Sequence, residues 1–139
     1  MPFDYKKEFK DLYLPSKKPQ LVTVPKMNFL AVRGKGGYKI ADFFDYVVPP
    51  LEGFWWQEKE NSALAGFDYS DKSSLKWISV IRLPDFVTLK NFEWAKEKAD
   101  NKKGLDCSKA EMLSFEEGLC VQIMHIGSYD DEPASVKEM

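Results

Sequence analysis

One carboxylate stands next to three large aromatic residues in the segment Tyr46-Val-Val-Pro-Pro-Leu-Glu-Gly-Phe-Trp-Trp56. A single glycine separates Glu52 from Phe54, Trp55 and Trp56. Aromatic rings stack on flat hydrophobic molecules, and a nearby carboxylate can neutralise a ligand cation or exchange a proton. The segment therefore predicts a site for a planar hydrophobic small molecule, with Glu52 as the catalytic candidate. The alternative is that Glu52 is a solvated turn carboxylate that caps backbone amides.

The remaining candidates are aromatic or titratable side chains in apolar segments. The predicted ligand-binding residues are Tyr46, Trp55, Trp56, Trp77 and His125. Successive side chains of a strand point to opposite faces, so at least one of Trp55 and Trp56 lies outside the main core. A core position beneath a helix is the alternative for Trp77. For His125 the alternative is a hydrogen-bonded strand histidine.

Metal and cofactor chemistry is not predicted. The chain has one histidine and two cysteines, and Cys107 and Cys120 lack the spacing of metal ligands. A single histidine also leaves no Ser-His-Asp or Cys-His arrangement to argue for. The run Arg33-Gly-Lys-Gly-Gly37 predicts a flexible turn, because it lacks the Lys-Ser/Thr ending of a phosphate-binding loop. We therefore expect no metal and no cofactor.

Length and charge restrict the class of protein and its partners. The chain has 139 residues, which fits one domain, and a formal net charge of -2. Nucleic acid is not expected as a direct partner because its recognition requires a basic face. No segment reaches the roughly 20 apolar residues of a membrane span, so a membrane is not expected either. The predicted location is the cytoplasm. The expected partner is a small hydrophobic aromatic ligand, and a homodimer remains open.

Hydrophobic patterning predicts a mixture of strands and helices. Prolines interrupt the first two strands, at Pro25 and at Pro49-Pro50, and Asp85 is the predicted cap of the main helix. The predicted strands cover about 21–32, 43–56, 75–83 and 112–126, the main helix covers 87–100 and stops at Gly104, and shorter helices cover about 3–13 and 134–139.

Three segments in order, 24–36, 46–56 and 120–133, together resemble the GyrI-like small-molecule-binding family. This family is related to the effector-binding domains of multidrug-responsive transcription regulators, and the resemblance covers about four-fifths of the chain. It implies an α+β fold in which duplicated strand–helix–strand–strand units form antiparallel sheet around a central ligand groove. The single domain, 1–139, would have a first unit at about 20–84, a linking helix at about 86–102 and a second unit at about 111–139.

Two departures from the family pattern accompany the resemblance. Family members carry a helix after the Arg-Gly-Lys-Gly turn, whereas Gly36, Gly37 and Tyr38 follow one another directly here. Members also continue past the helix that corresponds to 129–139 into two more strands. One helix and the last strands of the family pattern are therefore absent from these 139 residues, and the second unit is incomplete. Either these segments are omitted from the sequence or the protein is a reduced variant, and we expect omitted segments, because a sheet without one helix would expose a large apolar face.

The resemblance implies three functions. The first is binding of planar hydrophobic, cationic or DNA-alkylating small molecules in an aromatic-lined groove, for sequestration or detoxification. The alternative is a hydrolase, because some members open the cyclopropane ring of cyclopropanoid DNA-alkylating natural products; Glu52 would then orient the attacking water. A second alternative is a protein-binding module similar to gyrase inhibitors, which only the mildly acidic composition favours.

Overall fold

A computed structural model describes residues 4–35, 50–57 and 68–139. Three expectations lie outside these residues: the first part of the predicted second strand, the position of Tyr46, and the absence of a helix after Gly36. The described part has an α+β fold with antiparallel sheets, as predicted. Its α-helices are α1 (Tyr5–Glu8), α2 (Lys10–Tyr13), α3 (Leu89–Lys103) and α4 (Glu132–Glu138), and its strands are β1 (Gln20–Val24), β2 (Met27–Lys35), β3 (Leu51–Gln57), β4 (Leu75–Arg82), β5 (Glu111–Phe115) and β6 (Gly118–Gln122).

Contacts divide the chain into two units. The first unit comprises Met1–Lys26 and Glu116–Met139, and the second comprises Met27–Phe115. The second unit contains a four-stranded antiparallel sheet in the order β3-β4-β2-β5. Its central strands, β2 and β4, are rich in β-branched and other apolar residues, which favours strands buried on both faces.

One face of the four-stranded sheet carries phenylalanines and forms a core. We call it the phenylalanine face; it carries Phe29, Phe54 and Phe115. The Phe54 ring lies 5.8 Å from that of Phe29 and 5.0 Å from that of Phe115, measured between centroids. Beneath these rings Ala31 and Val80 have no exposed surface. Burial of these apolar groups is the main stabilising term of the second unit.

The N-cap of helix α3 lies three residues after the predicted cap, Asp85. Thr88, and not Asp85, is the N-cap: its hydroxyl accepts a hydrogen bond from the Asn91 amide at 3.3 Å. The Asn91 side-chain oxygen accepts in return from the Thr88 amide at 3.0 Å, which completes a capping box. At the other end Gly104 adopts φ of 60°, which confirms the predicted stop.

The first unit is built on a two-stranded antiparallel sheet of β1 and β6. The prediction of continuous strands over 21–32 and 112–126 was wrong, because the strands on the two sides of each break belong to different sheets. Pro25 has no amide hydrogen to donate to a ladder and lies between β1 and β2. Residues 116–117 separate β5 from β6, and Gly118, the first residue of β6, has a positive φ of 73°. β6 also ends at Gln122 and does not reach residue 126. The predicted N-terminal helix is likewise divided into α1 and α2 at Phe9.

Candidate functional site

The described part of the second unit exposes a pair of tryptophans on neighbouring strands. Trp55 of β3 and Trp77 of β4 are direct cross-strand partners, and their ring centroids lie 6.3 Å apart at an interplanar angle of 41°. Trp55 is 44% exposed, and Trp77 is half-buried. Along β4 the burial increases from Leu75 to Arg82. The pair therefore lies towards the more open end of the sheet.

Two glycines allow these indoles to lie against the backbone. Gly34 of β2 is the cross-strand partner of Trp77, and a Cβ atom at Gly34 would lie 1.9 Å from Cζ2 of that indole. A Cβ atom at Gly53 would lie 2.6 Å from Nε1 of Trp55. Neither side chain could keep its place over a larger residue, because real Cβ contacts are longer. We call Trp55 and Trp77 on these two glycines the tryptophan platform.

Gln57 fixes the end of β3 to the start of β4, the two strands that carry the platform. Its Nε2 donates to the carbonyl oxygens of Asp68 at 2.8 Å and Asp71 at 3.1 Å, and its Oε1 accepts from the Asp68 amide at 2.8 Å. Hydrogen bonds from Ser73 and Ser74 lower the pKa of the Asp71 carboxyl from its usual value and close the turn that enters β4. A satisfied polar clamp of this kind fixes the pairing register of neighbouring strands.

The strand register separates the predicted catalytic residue from the platform. Trp55 and Trp77 lie on one face of the sheet, whereas Glu52 and Trp56 lie on the phenylalanine face, because side chains alternate along β3. Glu52 is half-buried, and its cross-strand partner is the fully buried Val80. The four aromatic and acidic residues of this segment that the structure describes, Glu52, Phe54, Trp55 and Trp56, therefore divide between two surfaces.

A second carboxylate lies in the same cross-strand row as Glu52. This row crosses all four strands of the sheet: Glu52 pairs with Val80, Val80 pairs with Ala31, and Ala31 pairs with Glu111. Arg33 Nε donates to Oε1 of Glu111 at 2.5 Å, in a largely exposed ion pair. Surface pairs of this type contribute about 0–1 kcal/mol, so the pair is a minor stabilising contact.

His125 lies in the first unit, in the segment after β6, and both of its ring nitrogens have protein partners. Nε2 is 2.8 Å from the carbonyl oxygen of Ser128, which only accepts, so Nε2 carries a hydrogen and donates it. Nδ1 is 2.9 Å from the Ser135 hydroxyl on α4. These bonds attach the turn after β6 to α4. His125 is hydrogen-bonded, as in the alternative considered for it, but it lies after the end of β6 and not in a strand. A ligand contact of His125 stays a prediction.

Comparison with solved structures places the chain beside three crystal structures of Listeria innocua proteins. A conserved protein is 41% identical with a TM-score of 0.83, and two structures described as hydrolases are each 38% identical with TM-scores of 0.80 and 0.78. The alignments cover 99%, 100% and 99% of this chain and 78% of each of the other chains. This chain belongs to their family. No protein-family model and no curated protein matches it.

Two of these three structural neighbours are described as hydrolases. Any reaction of this chain has to be inferred from its own residues. In the described ranges no group of three His, Cys, Asp or Glu side chains could hold a metal ion. None of the described helices combines the length and apolarity needed to cross a bilayer.

Sequence reasoning missed Gly34, Gly53 and Gln57. The sequence pattern predicts a flexible turn at Gly34, whereas β2 continues through this residue to Lys35. The position of Gly34 directly after the apolar residues of β2 could have predicted its role, because a glycine in a strand often marks a place where another group approaches the backbone closely. Gly53 lies between Glu52 and Phe54 and carries the same signal.

Proposed function

We propose that this protein is a hydrolase of planar, hydrophobic small molecules and that it binds them on the tryptophan platform. The carrying observation is the Trp55–Trp77 pair, in which Trp55 is 44% exposed and the two indoles lie close to the backbone at Gly53 and Gly34. The hydrolase class is supported by the two Listeria innocua hydrolases at 38% identity.

The geometry of the platform favours a flat ligand. An indole that lies against the backbone presents its π-face outward, and this is the surface on which another ring stacks. The two indoles are inclined by 41°, so they form a shallow angled surface. Indole faces also attract cations, and the platform therefore suits neutral and cationic ring systems.

Compounds that alkylate DNA through a strained cyclopropane are the substrate class that we place first, because the GyrI-like resemblance implies it. In the reaction, the oxygen of water bonds to a ring carbon and the carbon–carbon bond of the cyclopropane breaks. The released electron pair moves to the conjugated carbonyl, which takes up a proton. The product has gained one water and has lost its electrophilic ring, so turnover would be detoxifying.

Titration with such a compound tests the proposal. Tryptophan fluorescence reports binding, and mass spectrometry of the ligand reports reaction. Quenching together with a mass gain of one water is the expected result. Quenching with an unchanged ligand would leave a sequestering protein, and an absence of quenching would contradict binding on the platform.

Single tryptophan substitutions identify the binding surface. Trp55→Leu and Trp77→Leu should each weaken binding about tenfold, because a lost ring–ring stack is worth about 1 kcal/mol beyond the area it buries. Trp56→Leu on the phenylalanine face and Trp94→Leu on the exposed surface of α3 are the matched controls, and they should leave Kd unchanged. Isothermal titration calorimetry gives Kd for all four variants without relying on their fluorescence. Equal losses in all four would contradict the platform.

Glu52→Gln tests the sequence prediction that Glu52 is catalytic. A general base must lie within hydrogen-bond reach of the proton it takes, and Glu52 lies on the sheet face opposite to the platform. We therefore expect both kcat and Kd for a platform ligand to stay within about twofold of the wild-type values. Loss of turnover at unchanged Kd would instead place the reacting bond on the side of Glu52.

A further inference from the structure

His125 of the first unit connects a serine hydroxyl on one side of its ring to a backbone carbonyl on the other. Ser135 Oγ on α4 lies 2.9 Å from Nδ1, and the Ser128 carbonyl oxygen lies 2.8 Å from Nε2. A carbonyl oxygen only accepts, so the neutral ring carries its hydrogen on Nε2 and has a lone pair on Nδ1. Ser135 therefore donates its hydroxyl hydrogen to Nδ1, which is the bond that a nucleophilic serine makes with its general base.

The turn between His125 and α4 fixes the imidazole from its far side. The carbonyl oxygen of Ser128 also accepts from the Asp131 amide at 3.1 Å, and the Ser128 hydroxyl donates to Oδ2 of Asp131 at 2.8 Å. These bonds hold the carbonyl that selects the tautomer with hydrogen on Nε2. A serine, a base and a third group that orients the base are the parts of a catalytic triad, and a carbonyl here takes the place of the usual carboxylate.

Gly127 allows a negative charge to approach the same imidazole. It has a φ of 145°, which favours glycine over residues with a side chain. A Cβ atom at this position would lie 3.5 Å from Oδ2 of Asp131 and 3.5 Å from both Cε1 and Nε2 of His125. The carboxylate and the ring therefore flank the same point. A carboxylate in this position stabilises the imidazolium that forms when His125 takes a proton.

We propose that Ser135 and His125 form a nucleophile–base pair that hydrolyses carboxylic esters. This pair belongs to the first unit, shares no residue with the tryptophan platform and does not depend on the function proposed for the platform. The sequence alone did not predict it, because Ser135 follows His125 by ten residues and belongs to a different element. The contacts that carry it all join residues between 125 and 135.

The charges around the pair restrict the kind of ester. Asp130, Asp131 and Glu132 lie between the two members of the pair in the chain, whereas Lys137 is the cation of α4. An excess of negative charge repels anionic substrates, such as phosphate monoesters. We therefore expect uncharged or cationic carboxylic esters as the substrate class.

The reaction proceeds through an acyl-serine. The oxygen of Ser135 bonds to the carbonyl carbon of the ester while its proton moves to Nδ1 of His125. The intermediate then expels the alcohol, which takes that proton from Nδ1. Water attacks the acyl-serine, Nδ1 accepts the proton of the water and returns it to the Ser135 oxygen as the acid leaves. The net reaction converts ester and water to acid and alcohol.

An alkyl fluorophosphonate tests whether Ser135 is activated. The probe phosphonylates a serine as fluoride leaves, and the reaction requires a base that takes the serine proton. Mass spectrometry of the intact protein and of its peptides should show a single label per chain, on Ser135. Ser135→Ala should abolish labelling. His125→Gln should slow it at least about hundredfold, because a positioned general base contributes about 10²–10⁴-fold.

Turnover is measured with 4-nitrophenyl acetate, which is an uncharged ester. The wild type should release 4-nitrophenolate in excess over enzyme, and Ser135→Ala should lower this rate at least about hundredfold. The matched control is Ser108→Ala, which alters an exposed serine in the turn before β5 and should leave labelling and turnover unchanged. Circular dichroism confirms that each variant is folded.

Three results would overturn the proposal. They are a wild-type protein that stays unlabelled, a label that maps to a residue other than Ser135, and a folded His125→Gln variant that is labelled as fast as the wild type. The first two need no variant, so they decide even if a substitution prevents folding. None of the three bears on the platform, whose ligand binding is measured separately.

Discussion

Gly34→Ala is expected to weaken binding of a planar ligand by at least about tenfold, although Gly34 itself offers no side chain to a ligand. The new methyl carbon would lie 1.9 Å from Cζ2, 2.3 Å from Cη2 and 2.4 Å from Cε2 of Trp77. The clash involves the body of the indole, so the whole ring must move from the backbone. The platform then loses the Trp77 part of its surface. Overpacking of this kind also lowers the free energy of unfolding by about 1–3 kcal/mol.

A double-mutant cycle separates this positioning role from general damage. In a Trp77→Leu background the indole is absent, so adding Gly34→Ala should change neither Kd nor stability by much more than the error of the measurement. Calorimetric Kd values and urea denaturation of the four proteins provide the cycle. Equal effects of Gly34→Ala in both backgrounds would mean that the glycine acts through the strand and not through Trp77.

Gly53→Ala should have a smaller effect of the same sign. The nearest approach of its new methyl carbon is 2.6 Å, and the next two are 3.4 Å, to one indole. Trp55 is also 44% exposed and has room to shift into solvent. We therefore expect Gly34→Ala to raise Kd more than Gly53→Ala does, and the same calorimetric measurements check this order.

The sequence predicted which residue types belong to the platform but not how they are combined. Alternation along a strand placed Trp55 and Trp56 on opposite faces without any knowledge of the fold, and β3 confirms this. The partner of Trp55 could not be predicted in the same way. Which residue lies opposite depends on the register between β3 and β4, and the Gln57 clamp that accompanies this register joins residues 11 and 14 positions apart.

The predicted strands and helix ends were correct where residues close together in the sequence determine them. The strand 75–83 is β4, whose two faces follow directly from its alternating residues, and Gly104 ends α3 as predicted. The start of α3 was placed wrongly because Asp85 and Thr88 are both good N-caps. Only the reciprocal bond from Asn91 distinguishes them. The prediction of one strand across Pro25 was wrong for a different reason. The hydrophobic pattern does not show that the chain passes from one sheet to another at this proline.

Phe29→Ala is the substitution that we expect to destabilise the protein most, by about 3–5 kcal/mol. Phe29 is 3% exposed, lies in β2 between β4 and β5, and meets the Phe54 ring edge-on at an interplanar angle of 86°. Removing its ring leaves a cavity in the centre of the phenylalanine face, because the surrounding strands are held by their ladders and cannot collapse into it. Chemical denaturation followed by circular dichroism measures the change.

Phe86→Ala is the matched control, because it removes the same ring from a position that is 80% exposed. Its free energy of unfolding should stay within about 0.5 kcal/mol of the wild-type value.

Phe29→Ala and Gly34→Ala should differ in their effect on ligand binding as well as on stability. Phe54 belongs to β3, the strand that also carries Trp55, but the contact between Phe29 and Phe54 lies on the sheet face opposite to the platform, and the pairing of β3 with β4 does not depend on it. Well below the unfolding transition, Phe29→Ala should therefore retain the wild-type Kd for a platform ligand while losing stability, whereas Gly34→Ala should lose both. A Phe29→Ala protein that is as stable as the wild type would mean that the phenylalanine face is not the core of the second unit.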